Sequence, residues 1–134
     1  MINLLLFNIV SNNLYKGYET QYTRLITRED IIKFAEISHD RGQHHVDLKK
    51  KLLAHGLLVA TLPTKLGGDL NFIASAIEFN FIKGVYEGET ITCLAKVENL
   101  LEQEKRFKTK FSFYCVNESG EMVMEGTTKG MIWK

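Results

Sequence analysis

The sequence predicts an α+β fold of one domain, in which a curved antiparallel sheet wraps around a single buried helix. The order of predicted elements supports this fold: a strand and two helical segments precede four strands. An apolar run over residues 56–67, bounded by glycines, would be buried on most of its sides. A layer of strands that covers such a helix satisfies both observations.

The first half of the chain contains one strand and one capped helix. Residues 18–26 are rich in Thr, Tyr and Ile with rough alternation, which predicts a strand. Thr27 can cap the next helix, and Asp30 supplies the reciprocal acid of a capping box. The helix predicted over 28–38 has one apolar face, formed by Ile31, Phe34, Ala35 and Ile37.

The middle of the chain holds a short helical turn and the central helix. We expect Asp47 to cap a turn over residues 48–53, with the lysine run at 49–51 directed outward. That run is either a solvated face or a surface that attracts a phosphate group. The central helix begins near Gly56, and Pro63 predicts a kink or an early end.

The second half reads as four strands joined by turns. Their predicted ranges are 72–82, 90–97, 106–116 and 121–133. Alternation places one set of apolar side chains on a single face of each of the first three: Ile77, Phe79 and Phe81; Ile91, Cys93, Ala95 and Val97; Phe107, Phe111, Phe113 and Cys115.

Composition excludes several classes of protein. The 134 residues, 45% hydrophobic and 25% charged, predict one domain over residues 1–134, with 1–15 as an N-terminal extension. A net charge of +1 disfavours nucleic acid as a partner. Cys93 and Cys115 have no metal or redox spacing, which favours a reducing cytoplasm. The apolar residues 1–10 are too short to span a membrane.

The candidate chemistry lies between residues 38 and 67. Asp40 and His45 are five residues apart on an irregular segment, where a carboxylate and a neutral imidazole can hold one water molecule between them. His55 and Gly56 follow at the start of the apolar helix, where backbone N–H groups are free to bind an oxyanion. We therefore predict an acid, a base and an oxyanion site within thirty residues.

These residues resemble the MaoC-like, (R)-specific enoyl-CoA hydratase family of the hot-dog superfamily. Asp40, His45, Asp47 and the run 55–58 match the family pattern in order, and matching segments cover nearly everything after residue 15. Gly42-Gln43 replaces the usual asparagine-proline, and the segment 47–55 is shorter than usual.

The resemblance implies a hot-dog fold and reversible hydration of 2-enoyl thioesters, with Asp40 and His45 catalytic. It implies that Gly56, His55 and Thr64 bind the substrate, a thioester of coenzyme A or of a carrier-protein phosphopantetheine. It also implies a homodimer, since pairing two sheets removes an open edge strand. We expect no cofactor and no metal, because the histidines show no standard ligand spacing.

Two other functions remain open on the sequence. A hot-dog acyl-CoA thioesterase would direct water to the thioester carbon instead of the alkene. A non-catalytic acyl-thioester-binding subunit would keep the fold without the reaction. Acyl chain length, the choice between coenzyme A and a carrier protein, and the pathway cannot be predicted from these residues.

Overall fold

The computed structural model describes residues 14–134, so the extension predicted for residues 1–15 lies outside the described residues except at Leu14 and Tyr15. The order of elements agrees with the prediction: one strand and the helical segments come first, and four strands follow. The elements within this range are β1 (Glu19–Leu25), α1 (Arg28–Ser38), α2 (Gln43–Val46), α3 (Gly56–Val59), α4 (Thr61–Asp69), β2 (Phe72–Phe81), β3 (Thr90–Glu102), β4 (Arg106–Val116) and β5 (Met122–Trp133).

The strands form one five-stranded sheet in the order β1-β3-β4-β5-β2, and all neighbours are antiparallel. On β3 and β4 the side chains alternate between buried and more exposed positions, as the sequence predicts. Register shifts interrupt three of the four pairings, and such bulges bend a sheet. The α+β fold predicted from the sequence is therefore confirmed.

The central helix is interrupted, as the proline predicts. It consists of α3 and α4, which meet at Ala60, and Pro63 is the third residue of α4. Proline is tolerated in a first helical turn because the N–H it lacks would have no partner there. Leu58, Leu62 and Leu66 are buried in the core beneath the sheet.

A capping box starts α1. The Thr27 side chain accepts a hydrogen bond from the Asp30 N–H at 3.0 Å, and the Asp30 carboxylate accepts one from the Thr27 N–H at 2.9 Å. Burial acts to raise the pKa of Asp30, but these hydrogen bonds and the nearby Arg24 guanidinium together lower it below its ordinary value of 3.8. The prediction of a capped helix is confirmed.

Three local predictions need correction. Ile37 is 79% exposed, because it lies on the opposite side of α1 from the buried Ile31 and Ala35. The helical turn is α2, before Asp47, and not residues 48–53; Leu53 instead forms a bridge with Tyr86. On β2 the side chains of Ile77 and Phe81 are about half exposed, since this strand forms one edge of the sheet.

The two cysteines are cross-strand neighbours. Cys93 on β3 lies opposite Cys115 on β4, and both thiols are free and buried. A hydrogen bond with Cys115, together with burial, raises the pKa of the Cys93 thiol far above its ordinary value. A thiol held in its protonated form is a poor nucleophile, and this pair therefore belongs to the core.

Candidate active site

Asp40 stands where the chain leaves α1. His39 ends that helix in a left-handed conformation with φ of 63°, which turns the chain away from the helix axis. The Asp40 N–H donates to the Ser38 hydroxyl at 3.1 Å, and its carboxylate accepts from the Gly42 N–H at 3.3 Å. The side chain is 58% exposed, so one carboxylate oxygen remains free to face the solvent and the neighbouring imidazole.

His45 is buried on α2, with 5% of its surface exposed. Its Nδ1 lies 2.6 Å from the carbonyl oxygen of Leu53. Because a carbonyl oxygen can only accept, Nδ1 carries the proton and Nε2 presents a lone pair in the neutral ring. That Nε2 is 3.7 Å from Oδ2 of Asp40. A gap of this length is too wide for a direct hydrogen bond and suits a bridging water.

His55 connects both members of this pair. Its Nε2–H donates to the backbone carbonyl of Asp40 at 2.9 Å, and its ring stacks on His45 with centroids 3.6 Å apart. Phe34 packs on His55 at a centroid distance of 4.8 Å. His55 is 3% exposed, and its Nδ1 has no partner within residues 14–134. One buried ring thus fixes the position of the acid's backbone and of the base's ring.

These residues line an open cleft of about 640 Å³. The start of α3 forms one side, and Phe81 from the edge strand lies against it. A Cβ on Gly56 would come within 2.8 Å of the Phe81 ring, so a larger residue here would displace that ring. Phe34, Leu57 and Ile82 make much of the remaining wall apolar. The cleft therefore combines a polar acid–imidazole pair with walls suited to an acyl group.

No protein-family model matches the sequence. The chain is 28% identical over 129 residues to the mitochondrial 3-hydroxyacyl-[acyl-carrier-protein] dehydratase of Arabidopsis thaliana, an alignment that covers 87% of this chain and 76% of that protein. The unliganded R-hydratase PhaJ1 from Pseudomonas aeruginosa superposes with a TM-score of 0.79 at 22% identity, covering 92% of this chain and 84% of that one.

A MaoC-like dehydratase from Rhodospirillum rubrum gives a TM-score of 0.74 at 18% identity, over 92% of this chain and 95% of that one. The chain has the hot-dog fold of the MaoC-like dehydratases. The hot-dog fold that the resemblance implies is therefore confirmed. Within residues 14–134 no helix is long and apolar enough to cross a membrane. A cytoplasmic location stays a prediction, since the Arabidopsis relative is named as mitochondrial.

The hot-dog cleft contains four of the five predicted site residues. Asp40, His45, His55 and Gly56 meet there, whereas Thr64 lines a separate apolar cavity of about 180 Å³ between α4 and the sheet. The Thr64 hydroxyl donates to the Ala60 carbonyl at 2.9 Å, one helical turn earlier. Along the central helix, residues up to Val59 line the cleft and residues from Pro63 onward line the second cavity.

Sequence reasoning missed the residues that complete the cleft from distant segments. Phe81 was assigned to a strand face and Phe34 to a helix face, and nothing in their local pattern indicates that both reach the imidazoles. The exposed ring of His44 packs edge-on against His45, with the ring centroids 4.0 Å apart. Only the long-range pairing of chain segments brings these groups together.

Asp40, His45 and His55 have the composition of a metal site, with one ligand atom from each lying within 4.8 Å of the others. The ring orientation opposes that use. The two imidazole planes are inclined by only 16° and are stacked, so they do not intersect near the rings. A metal ion lies close to the plane of each imidazole that binds it, and one ion cannot lie in both planes here. The arrangement suits an acid–base pair better than a metal centre.

Proposed function

We propose that this protein catalyses the reversible hydration of 2-enoyl thioesters to (R)-3-hydroxyacyl thioesters. The observation that carries the proposal is the gap of 3.7 Å between the Asp40 carboxylate and the unprotonated Nε2 of His45, at the edge of a largely apolar cleft. The name of the Arabidopsis relative, a 3-hydroxyacyl-[acyl-carrier-protein] dehydratase, describes the same reaction in the reverse direction.

A water molecule in this gap would donate one proton to each acceptor. Asp40 in its ionised form and Nε2 of His45 can only accept, so both protons of the water point at protein and an oxygen lone pair faces the substrate. The oxygen adds to C3 of the alkene as one of the two groups removes a proton. The pair then returns one proton to C2, so that the elements of water are added across the double bond.

The start of α3 would polarise the thioester. Within residues 14–134 the backbone N–H groups of Gly56 and Leu57 donate no hydrogen bond, and Gly56 borders the cleft. A thioester oxygen placed against them would accept hydrogen bonds that strengthen as negative charge develops on it. Loss of one such donor costs about a hundredfold or more in rate in comparable sites. We propose the Gly56 amide as the principal donor.

The assay uses but-2-enoyl-CoA and follows two signals in the same sample. We expect the enoyl absorbance to fall while no free thiol appears, and Asp40→Asn to abolish this change. Release of thiol without loss of the enoyl absorbance would instead identify a thioesterase. Binding of the thioester with neither change would identify a non-catalytic subunit and reject the proposed reaction.

We also propose that the active form is a homodimer paired through the edge strand β2. Exposed apolar side chains mark this strand and its continuation: Ile73, Ile77, Phe81 and Ile82. An exposed edge of this kind pairs readily with a second sheet. Phe81 and Ile82 also line the cleft, so a partner seated here would border the site. Light scattering at micromolar concentration tests this proposal, and a monomer with full hydratase activity would contradict it.

A further inference from the structure

Three consecutive lysines lie beside the cleft, and none of them forms an ion pair within residues 14–134. Lys49, Lys50 and Lys51 are exposed, and within residues 14–134 no carboxylate lies within 4.0 Å of their amino groups. Residues 1–13 contain no Asp or Glu that could supply one. By contrast, Lys65 and Lys83 each form an ion pair at 2.5–2.6 Å. The hydrogen bond from Arg28 and, more weakly, the charge of Lys51 lower the pKa of Glu87, and this carboxylate is already paired with Arg28.

The turn that carries these lysines is nevertheless held in place. The Arg28 guanidinium donates to the carbonyl of Leu48 at 3.1 Å and to that of Lys50 at 2.7 Å. The same guanidinium pairs with the Glu87 carboxylate, which also accepts the Leu52 N–H at 2.7 Å. The backbone of this turn is therefore already ordered, and binding an anion here would order only the lysine side chains.

Two of the lysines line a groove of about 530 Å³ next to the cleft, here called the lysine groove; its wall includes Gln43, His44, Lys50, Lys51, Leu53 and Tyr86. His44 and Leu53 also line the cleft, so the two depressions are adjacent and share these two residues as a wall. Asp47 is the acidic residue of the groove wall, and its carboxylate already accepts the Lys49 N–H at 3.1 Å.

We propose that the lysine groove binds the phosphate of a phosphopantetheine handle, with Lys50 and Lys51 as its contacts. This inference rests on the proposed function, which places a thioester in the cleft. The handle of such a substrate is a long arm that ends in a phosphate, and it leaves the cleft past the shared wall at His44 and Leu53. Coenzyme A and an acyl carrier protein both supply this phosphate.

The test measures binding without chemistry. Butyryl-CoA, butyryl-phosphopantetheine and phosphate-free butyryl-pantetheine cannot be hydrated, and calorimetry gives the Kd of each for the full chain. For Lys50→Gln with Lys51→Gln we expect about a tenfold weaker Kd for the two phosphate-bearing ligands. The Kd of butyryl-pantetheine should not change. The matched control is Lys108→Gln with Lys110→Gln, which removes two exposed charges from β4 and should leave all three values unchanged.

An equal loss of affinity for butyryl-pantetheine, or no loss of affinity for any ligand, would overturn the proposal. Butyryl carrier protein as a fourth ligand identifies the natural source of the phosphate. If the carrier protein is the natural partner, the lysine substitutions should weaken its binding more than they weaken the binding of butyryl-phosphopantetheine. Failure of the proposed function can be distinguished from failure of this inference. If but-2-enoyl-CoA is not hydrated but the lysine substitutions still weaken the binding of butyryl-CoA, the hydratase reaction is rejected and the phosphate site in the lysine groove is retained.

Discussion

Replacing His55 with alanine tests whether one buried ring positions both catalytic groups. The substitution removes the hydrogen bond to the Asp40 carbonyl, at 2.9 Å, and the stack on His45, at 3.6 Å between centroids. A hydrogen bond contributes about 1 kcal/mol net, and an aromatic pair of this kind about 1 kcal/mol more. With the void left beside Phe34, we expect a loss of about 2–4 kcal/mol in the free energy of unfolding.

Urea denaturation measures that loss, and hydration kinetics measure the displacement of the pair. We expect kcat to fall by about tenfold or more, since a shift of about 1 Å in a catalytic group is costly, while KM changes less. His44→Ala is the matched control, because its exposed ring also packs against His45, at a centroid distance of 4.0 Å, yet makes no hydrogen bond to any of residues 14–134. It should cost less than about 0.5 kcal/mol. Equal effects of the two substitutions, or wild-type kcat in His55→Ala, would refute the positioning role.

Four further outcomes are expected. Asp40→Asn and His45→Ala should each remove most hydratase activity, and Asp40→Asn should leave the unfolding midpoint nearly unchanged. The double variant should be little slower than either single variant; rate losses that multiply would indicate independent roles. Gln43→Pro should raise the free energy of unfolding by about 0.4–1 kcal/mol and lower KM, because Gln43 is the first residue of α2 and Gly42 before it is extended, with φ of −54° and ψ of 144°; an unchanged thermal midpoint would show that this turn is already rigid. Asp30→Ala should cost about 1 kcal/mol at neutral pH. Since the pKa of Asp30 is lowered in the folded protein, the charge-dependent part of this cost should be fully present above the ordinary value of 3.8 and be lost as the pH falls through the lower pKa of the folded state; a cost that does not change in acid would contradict the charge-based cap. Dilution below the dimer dissociation constant should lower activity and the thermal midpoint together, and a concentration-independent midpoint would count against pairing through β2.

Elements with a local cause can be predicted from the amino-acid sequence. Alternation of side chains predicts β3 and β4 because a strand places every second residue on the same face. The capping box at Thr27 and the helix break near Pro63 follow from hydrogen bonds within one turn. The spacing of Asp40, His45 and Gly56 likewise predicted a shared site, and the structure places all three along one cleft.

Tertiary structure alone decided which long-range contacts complete that cleft. The bridge between Leu53 and Tyr86 replaces the helix predicted over 48–53. It also positions the Leu53 carbonyl, whose contact with Nδ1 fixes the tautomer of His45. The donation from His55 to Asp40 joins residues fifteen positions apart, and Phe81 reaches Gly56 from the edge strand. No local periodicity encodes such contacts, because they depend on how the sheet register and the central helix are packed against each other.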